Sequence, residues 1–122
     1  MQDRNTRQKQ VIANLVQAAE RPLSVQEILT LGRKRLPGLG VATVYRSIKR
    51  LKDAGEIRAV TIPGDTSRYE TAGHHHHHFK CSRCDKVYEI EGCVNELKRL
   101  VPKGFTIEDH DLTFYGRCRN CA

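Results

Sequence analysis

The chain has 122 residues, with 21 Lys/Arg against 14 Asp/Glu for a net charge of +7, and 39% hydrophobic residues without a Trp. That composition is globular, but so small a core is marginal alone and calls for a staple from a metal, a disulfide or a partner chain. No apolar run approaches the ~20 residues of a membrane span, and Met1-Gln2-Asp3-Arg4 does not open as a signal peptide. A cytoplasmic protein without membrane partners is therefore expected, in which clustered thiols read as metal ligands rather than disulfides.

Charge and ligands are unevenly spread. Residues 1–73 carry 13 Lys/Arg and seven Asp/Glu, whereas residues 74–122 carry eight and seven and hold all six His and all five Cys. Two domains are expected, 1–72 and 73–122, the first basic and the second rich in ligands.

In chain order, Val11, Ile12, Leu15, Val16 and Ala19 recur at helical spacing, with Pro22 just beyond the end. Ser24-Val25-Gln26-Glu27 is a capping-box start to a second helix carrying Ile28, Leu29 and Leu31, broken by Leu36-Pro37-Gly38-Leu39-Gly40. A third helix runs from Val41 to a stop at Gly55, a residue suited to a left-handed cap. Strand-like runs Ile57 to Ile62 and Thr66 to Thr71 then flank a Pro63-Gly64-Asp65 turn. Three helices and a hairpin make a winged helix-turn-helix.

The third helix carries the most specific pattern of this half. Stepping about 100° per residue places Val41, Val44, Ile48 and Leu51 on one face. Ala42, Thr43, Arg46, Lys49 and Arg50 fall on the other, with Tyr45 and Lys52 on the flank. An apolar back behind small residues, a Tyr and cations fits a DNA major groove, where Arg and Lys meet phosphates or guanine edges and Ala42 and Thr43 can touch a thymine methyl. Charge pattern alone favours an ordinary solvated helix face; the preceding helix, the wing and the basic half turn the balance to DNA.

His74 to His78 form an internal run, followed directly by Phe79-Lys80-Cys81, which argues against a purification tag. In an extended strand His76 and His78 face one way and His75 and His77 the other, so one strand can serve two metal sites. Cys81-Ser82-Arg83-Cys84 and Cys118-Arg119-Asn120-Cys121 are two C-x-x-C pairs separated by 33 residues. Four thiolates fill a tetrahedral zinc and leave no open position, so this zinc is structural; two redox dithiols are the competing reading. Between the pairs, Lys86 to Ile90 alternates as a strand, and a short helix with Val94, Leu97, Leu100 and Val101 inward ends at Pro102 and Gly104. Phe105 to Gly116 alternates again, with Ile107, Leu112 and Phe114 expected inside; unpaired Cys93 reads as a small core residue, with a metal ligand as the alternative. The class is α+β: a winged helix followed by a small zinc-stapled α/β dimerisation domain.

Gly40-Val41-Ala42-Thr43-Val44-Tyr45-Arg46, the Asp53-Ala54-Gly55 helix end, the His run before C-x-x-C and Tyr115-Gly116-x-Cys118 together resemble the ferric uptake regulator family over most of the chain. The resemblance implies a homodimeric, metal-responsive transcription factor, most often a repressor, that binds a double-stranded DNA operator. It implies Cys81, Cys84, Cys118 and Cys121 as structural zinc ligands, and Tyr45 and Arg46 as residues that meet base and phosphate. It implies a regulatory metal, Fe2+, Zn2+, Mn2+ or Ni2+, held at the inter-domain hinge by Glu70, His76, His78 and Glu89. A second site would use His75, His77, Glu96 and His110, His77 standing where many members have Asp. The family's usual His just before the second helix is missing: Arg21-Pro22-Leu23-Ser24 stands there, and residues 1–73 contain no His. The peroxide-sensing branch tends to have Asp where Glu89 stands, which favours a metal sensor. The alternatives are a metal-buffering or haem-binding protein that uses the His run without operator DNA, and a zinc hydrolase, for which no H-E-x-x-H or nucleophile elbow is found.

Overall fold

A computed structural model describes residues 4–73, 76–94 and 96–122. The chain divides into two compact units, Met1–His74 and His75–Ala122.

The first unit runs α1 (Arg4–Ala19), β1 (Leu23–Ser24), α2 (Val25–Gly32), α3 (Val41–Asp53), β2 (Ile57–Val60) and β3 (Arg68–Thr71). Its helix ends are set locally. The Ser24 hydroxyl accepts from the Glu27 N–H at 3.1 Å while Glu27 Oε1 accepts from the Ser24 N–H at 3.1 Å, a complete capping box. α3 stops at a Schellman turn: Gly55, at φ 75°, donates to Lys52 O at 2.9 Å, and the Glu56 N–H donates to Leu51 O at 3.0 Å. Ile12 and Val16 of α1, Ile28 and Leu29 of α2 and Val44, Ile48 and Leu51 of α3 share one core with Leu39, Leu23, Ile57 and Tyr69. Between α2 and α3 the chain passes so close that a Cβ on Gly32 would lie 2.5 Å from Leu39 Cδ2. Val41 departs from the helical wheel: it is 49% exposed, because the first residue of α3 projects past the edge of this core.

β3 lies between β1 and β2 in an antiparallel sheet, with Leu23 opposite Tyr69 and Arg58 opposite Glu70. The strands of the hairpin are shorter than the sequence runs. The Asp65 N–H donates to Ile62 O at 3.0 Å and Gly64 has φ 81°, the signature of a type II Pro-Gly turn. Glu27 accepts from Arg21 at 2.6 Å and from the buried Arg68 at 2.8 Å, and Arg68 also reaches Asp65 at 2.7 Å. One chain of charges thus links the start of α2 to the wing.

The second unit contains β4 (His77–Cys81), β5 (Val87–Ile90), a one-turn 3-10 helix (Leu97–Leu100) and β6 (Thr113–Gly116). β4 is central, antiparallel to β5 and parallel to β6. Three expectations are corrected here. In place of the expected helix, Leu97–Leu100 make a single 3-10 turn with no buried residue, and Val94 and Leu100 are exposed. Phe114 and Ile107 are exposed rather than inside. Cys93 is exposed and not part of a core. The common cause is that Val87, Cys81 and Cys118 are the buried hydrophobics described in this unit, so it has no large apolar interior to receive them.

Candidate metal centres and nucleic-acid interface

The four C-x-x-C cysteines meet at one end of the β4–β5–β6 sheet. Their sulfurs all lie within 4.8 Å of one another, and Cys84 Sγ is 3.8 Å from Cys118 Sγ. A tetrahedron with bonds of about 2.3 Å has an edge of about 3.8 Å, so the donor set fits zinc. Local structure makes the fit. After Cys84 the chain turns through Asp85 at φ 62°, whose N–H donates to Cys81 O at 3.1 Å, and the Cys121 N–H donates to Cys118 O at 3.0 Å. The Cys84 and Cys118 N–H groups point at Cys81 Sγ from 3.5 and 3.4 Å. These donors hold the Cys81 thiol down at about 6, in the thiolate form that a metal requires.

The histidines at and just before the start of β4 divide between its two faces. His76 and His78 lie edge to face, ring centroids 5.1 Å apart. Glu89 faces His78 in register on β5, and its Oε1 is 3.7 Å from His76 Nε2. Imidazole and carboxylate donors of this kind suit Fe, Mn, Zn or Ni. Glu70, on β3 of the other unit, is buried and accepts from Arg58 Nε at 3.1 Å.

His77 turns to the opposite face and stacks obliquely on His110, ring centroids 5.1 Å apart. The third group that joins them is Cys93, not Glu96. Cys93 Sγ is 3.4 Å from His77 Nε2 and 3.1 Å from His110 Nε2. Glu96 is exposed and pairs with Arg99 at 3.7 Å. His75 lies outside the described residues. The sequence contained one signal for Cys93, an odd thiol in the ligand-rich half, but a lone small residue of this type is more often found in a core.

On α3, Val44, Ser47, Ile48 and Leu51 are buried, while Ala42, Tyr45, Arg46, Lys49 and Arg50 are exposed. Thr43 is half-buried, its hydroxyl accepting from Arg46 Nη2 at 3.1 Å. Asn5 and Gln8 of α1 line a shallow crevice with Thr43, Arg46, Ser47 and Arg50. Arg4 and Arg7 line a second recess against Leu36 to Leu39. A convex helix face with cations along it, and further cations beside it, meets the electrostatic requirement of a phosphate backbone.

Comparison with known proteins gives one answer. The profile of the ferric uptake regulator family matches residues 1–115. The ferric uptake regulation protein of Bacillus subtilis (strain 168) is 33% identical over 114 residues, covering 88% of this chain and 76% of that protein. The peroxide-responsive repressor PerR of Staphylococcus aureus (strain USA300) is 28% identical over 121 residues, covering 97% and 82%. A solved structure of a zinc-bound manganese uptake regulator superposes with a TM-score of 0.77 at 31% identity, over 91% of this chain and 87% of that one. Among the described residues no helix is long and apolar enough to cross a membrane.

Proposed function

This chain belongs to the ferric uptake regulator family and is a metal-dependent DNA-binding regulator of transcription, and we propose that it represses by binding operator DNA as a homodimer under control of one regulatory metal. The observation that carries this reading is the division of α3 into a buried apolar back and a front of Ala42, Thr43, Tyr45, Arg46, Lys49 and Arg50. That front is the proposed base- and phosphate-contacting surface.

Cys81, Cys84, Cys118 and Cys121 are proposed to hold a structural zinc, whose chemistry is to cross-link two turns of a unit that lacks a core of its own. Glu70, His76, His78 and Glu89 are the proposed regulatory ligands, with Fe2+, Mn2+, Zn2+ or Ni2+ as candidates. Shared ligation by Glu70 and the β4 histidines would couple the wing to the dimerisation unit. That coupling fixes the spacing of two recognition helices against half-sites on the DNA. Control then amounts to a difference in metal affinity between operator-competent and incompetent states, about 1.4 kcal/mol for each tenfold in DNA binding. Leu100, Phe105, Ile107 and Phe114 are exposed on the second unit and supply apolar surface for the second copy. A cytoplasmic location accords with these partners.

The test is metal analysis of the purified chain, joined to DNA binding with and without each candidate metal. One tightly held zinc per chain and a metal-dependent DNA shift are expected. Changing His76 and His78 to Ala should abolish the shift and leave the zinc bound. DNA affinity indifferent to every metal would remove the sensor function. Weak, sequence-indifferent DNA binding would favour metal buffering instead.

A further inference from the structure

We propose that Cys93, with His77 and His110, forms a thiolate-containing site for a soft or borderline divalent cation such as Zn2+. This replaces the all-nitrogen-and-oxygen second site through Glu96 that the family resemblance implies. The inference deepens the regulatory reading above but rests on different residues.

The geometry is the first support. A tetrahedral ion with bonds of about 2.05 Å to nitrogen and 2.3 Å to sulfur sets its nitrogen and sulfur donors about 3.6 Å apart. The distances from Cys93 Sγ are 3.4 Å to His77 Nε2 and 3.1 Å to His110 Nε2, and the three donor atoms lie within 4.8 Å of one another. These nitrogen–sulfur distances need to open by only about half an ångström or less to admit an ion.

Ring orientation is the second support: His77 turns Nε2, not Nδ1, towards the other two donors, and loading it costs the hydrogen bond that Nδ1 accepts. The Leu112 N–H donates to His77 Nδ1 at 3.2 Å. Nδ1 is therefore the acceptor, and the ring proton sits on Nε2, directed at the thiol. Ligation through Nε2 moves that proton to Nδ1 and gives up the Leu112 bond, while the Cys93 thiol proton leaves to solvent. Three protein donors leave a fourth position for water. His77 is buried at the start of β4, paired with Ile90 of β5, and the next residue, His78, donates to Leu112 O at 3.1 Å on the other side, so the ring comes from a rigid element.

Chemistry is the third support. A thiolate in place of a carboxylate moves preference away from Mn2+ and towards Zn2+. Glu96, three residues on, is engaged with Arg99 at 3.7 Å. Cys93 does not belong to the four-cysteine cluster, whose members are Cys81, Cys84, Cys118 and Cys121.

The experiment titrates Co2+ into the full, zinc-loaded chain and its variants. Thiolate-to-Co2+ charge transfer is read in the near ultraviolet, and alkylation of Cys93 is followed by mass spectrometry with and without Zn2+. The wild type should develop the band, and Zn2+ should protect Cys93. Cys93→Ser and His110→Ala should each weaken Co2+ binding by at least the ~10- to 100-fold that loss of even an outer-shell partner costs. Glu96→Gln should leave both readouts unchanged. Cys93 is exposed, so its Ser variant should fold, which retained zinc at the four-cysteine site will show. A band undiminished in Cys93→Ser, no Zn2+ protection of Cys93, or a loss confined to Glu96→Gln would overturn the proposal. Metal-dependent DNA binding, measured on the same samples and on the His76/His78 double variant, reports the regulatory site separately. Either reading can therefore fail alone.

Discussion

Replacing Glu27 by Gln should destabilise the N-terminal unit by about 1–2 kcal/mol at pH 7, and replacing it by Ala by about 2–3 kcal/mol. Glu27 Oε2 accepts from Arg21 at 2.6 Å, and Oε1 accepts from Arg68 at 2.8 Å and from the Ser24 N–H at 3.1 Å. Gln at this position preserves the capping box through its one oxygen, but it removes the charge and turns an NH2 donor towards the Arg21 guanidinium. Breaking a fully buried ion pair costs about 3–5 kcal/mol. The cost here is smaller, because Arg68 keeps Asp65 at 2.7 Å and Arg21 is 24% exposed. Ala also drops the cap, about 1 kcal/mol more. The effect has a pH signature. Burial would raise the Glu27 carboxyl, but the Ser24 N–H, Arg21 and Arg68 outweigh it and hold it below 4.5. A carboxyl lowered by folding adds stability above its unfolded value, and that stability is lost as pH falls through the folded one. The gap between wild type and Glu27→Gln should be full at pH 7 and should close as pH drops below 4.5. Urea unfolding of the zinc-loaded proteins, with hydrogen exchange of the α2 amides, measures it. Equal stability at pH 7, or a gap that persists in acid, would refute the reasoning.

Three shorter tests probe other levels. Leu51 is 1% exposed at the centre of the three-helix core; Leu51→Ala should cost about 2–5 kcal/mol in urea unfolding. Arg46→Ala should weaken operator binding by about 1–3 kcal/mol, with unchanged helical circular dichroism. If Arg46 meets phosphate, the salt dependence of log K should also flatten by about one unit. Removing the proposed structural zinc with a chelator should abolish exchange protection in β4, β5 and β6 while the α1, α2 and α3 amides keep theirs, since the second unit's buried hydrophobics include Cys81 and Cys118 themselves. Equal loss in both units would argue that the zinc staples more than the second unit.

What the sequence made legible was what local chemistry decides. Ser24 and Glu27 start α2, Gly55 ends α3, and Pro63-Gly64 turns the hairpin, each through hydrogen bonds spanning a few residues. β1 was missed because two residues, Leu23 and Ser24, form a strand only by pairing with Tyr69 and Arg68. No local pattern announces such a contact. The segment from Val94 to Val101 failed for the opposite reason: its apolar spacing is helical, but periodicity cannot say whether a surface faces a core or a second chain. Cys93 shows the same limit at the site. Its neighbours His77 and His110 are 16 and 17 residues away, and β4 and the approach to β6 bring them to it.

The missing histidine before α2 has a structural counterpart, and it shifts weight onto one carboxylate. Arg21 stands in that stretch with its guanidinium bound to Glu27 at 2.6 Å. A guanidinium stays protonated and offers no lone pair, so Arg21 cannot substitute as a ligand. Glu70 is then the N-terminal unit's proposed donor, and it is already claimed: Arg58, its cross-strand partner, donates to Oε1 at 3.1 Å. A metal held by Glu70 Oε1 would compete with Arg58 for that oxygen. Arg58 is 42% exposed but Glu70 is 1% exposed, so the pair is worth more than the ~0–1 kcal/mol of a fully exposed one and less than the ~3–5 kcal/mol of a fully buried one. Arg58→Ala removes the competitor and should tighten the regulatory metal by at least about fivefold, the equivalent of ~1 kcal/mol. Isothermal titration with the activating metal, in wild type and Arg58→Ala, measures the difference. If affinity falls instead, Arg58 orients Glu70 for the metal and does not compete with it.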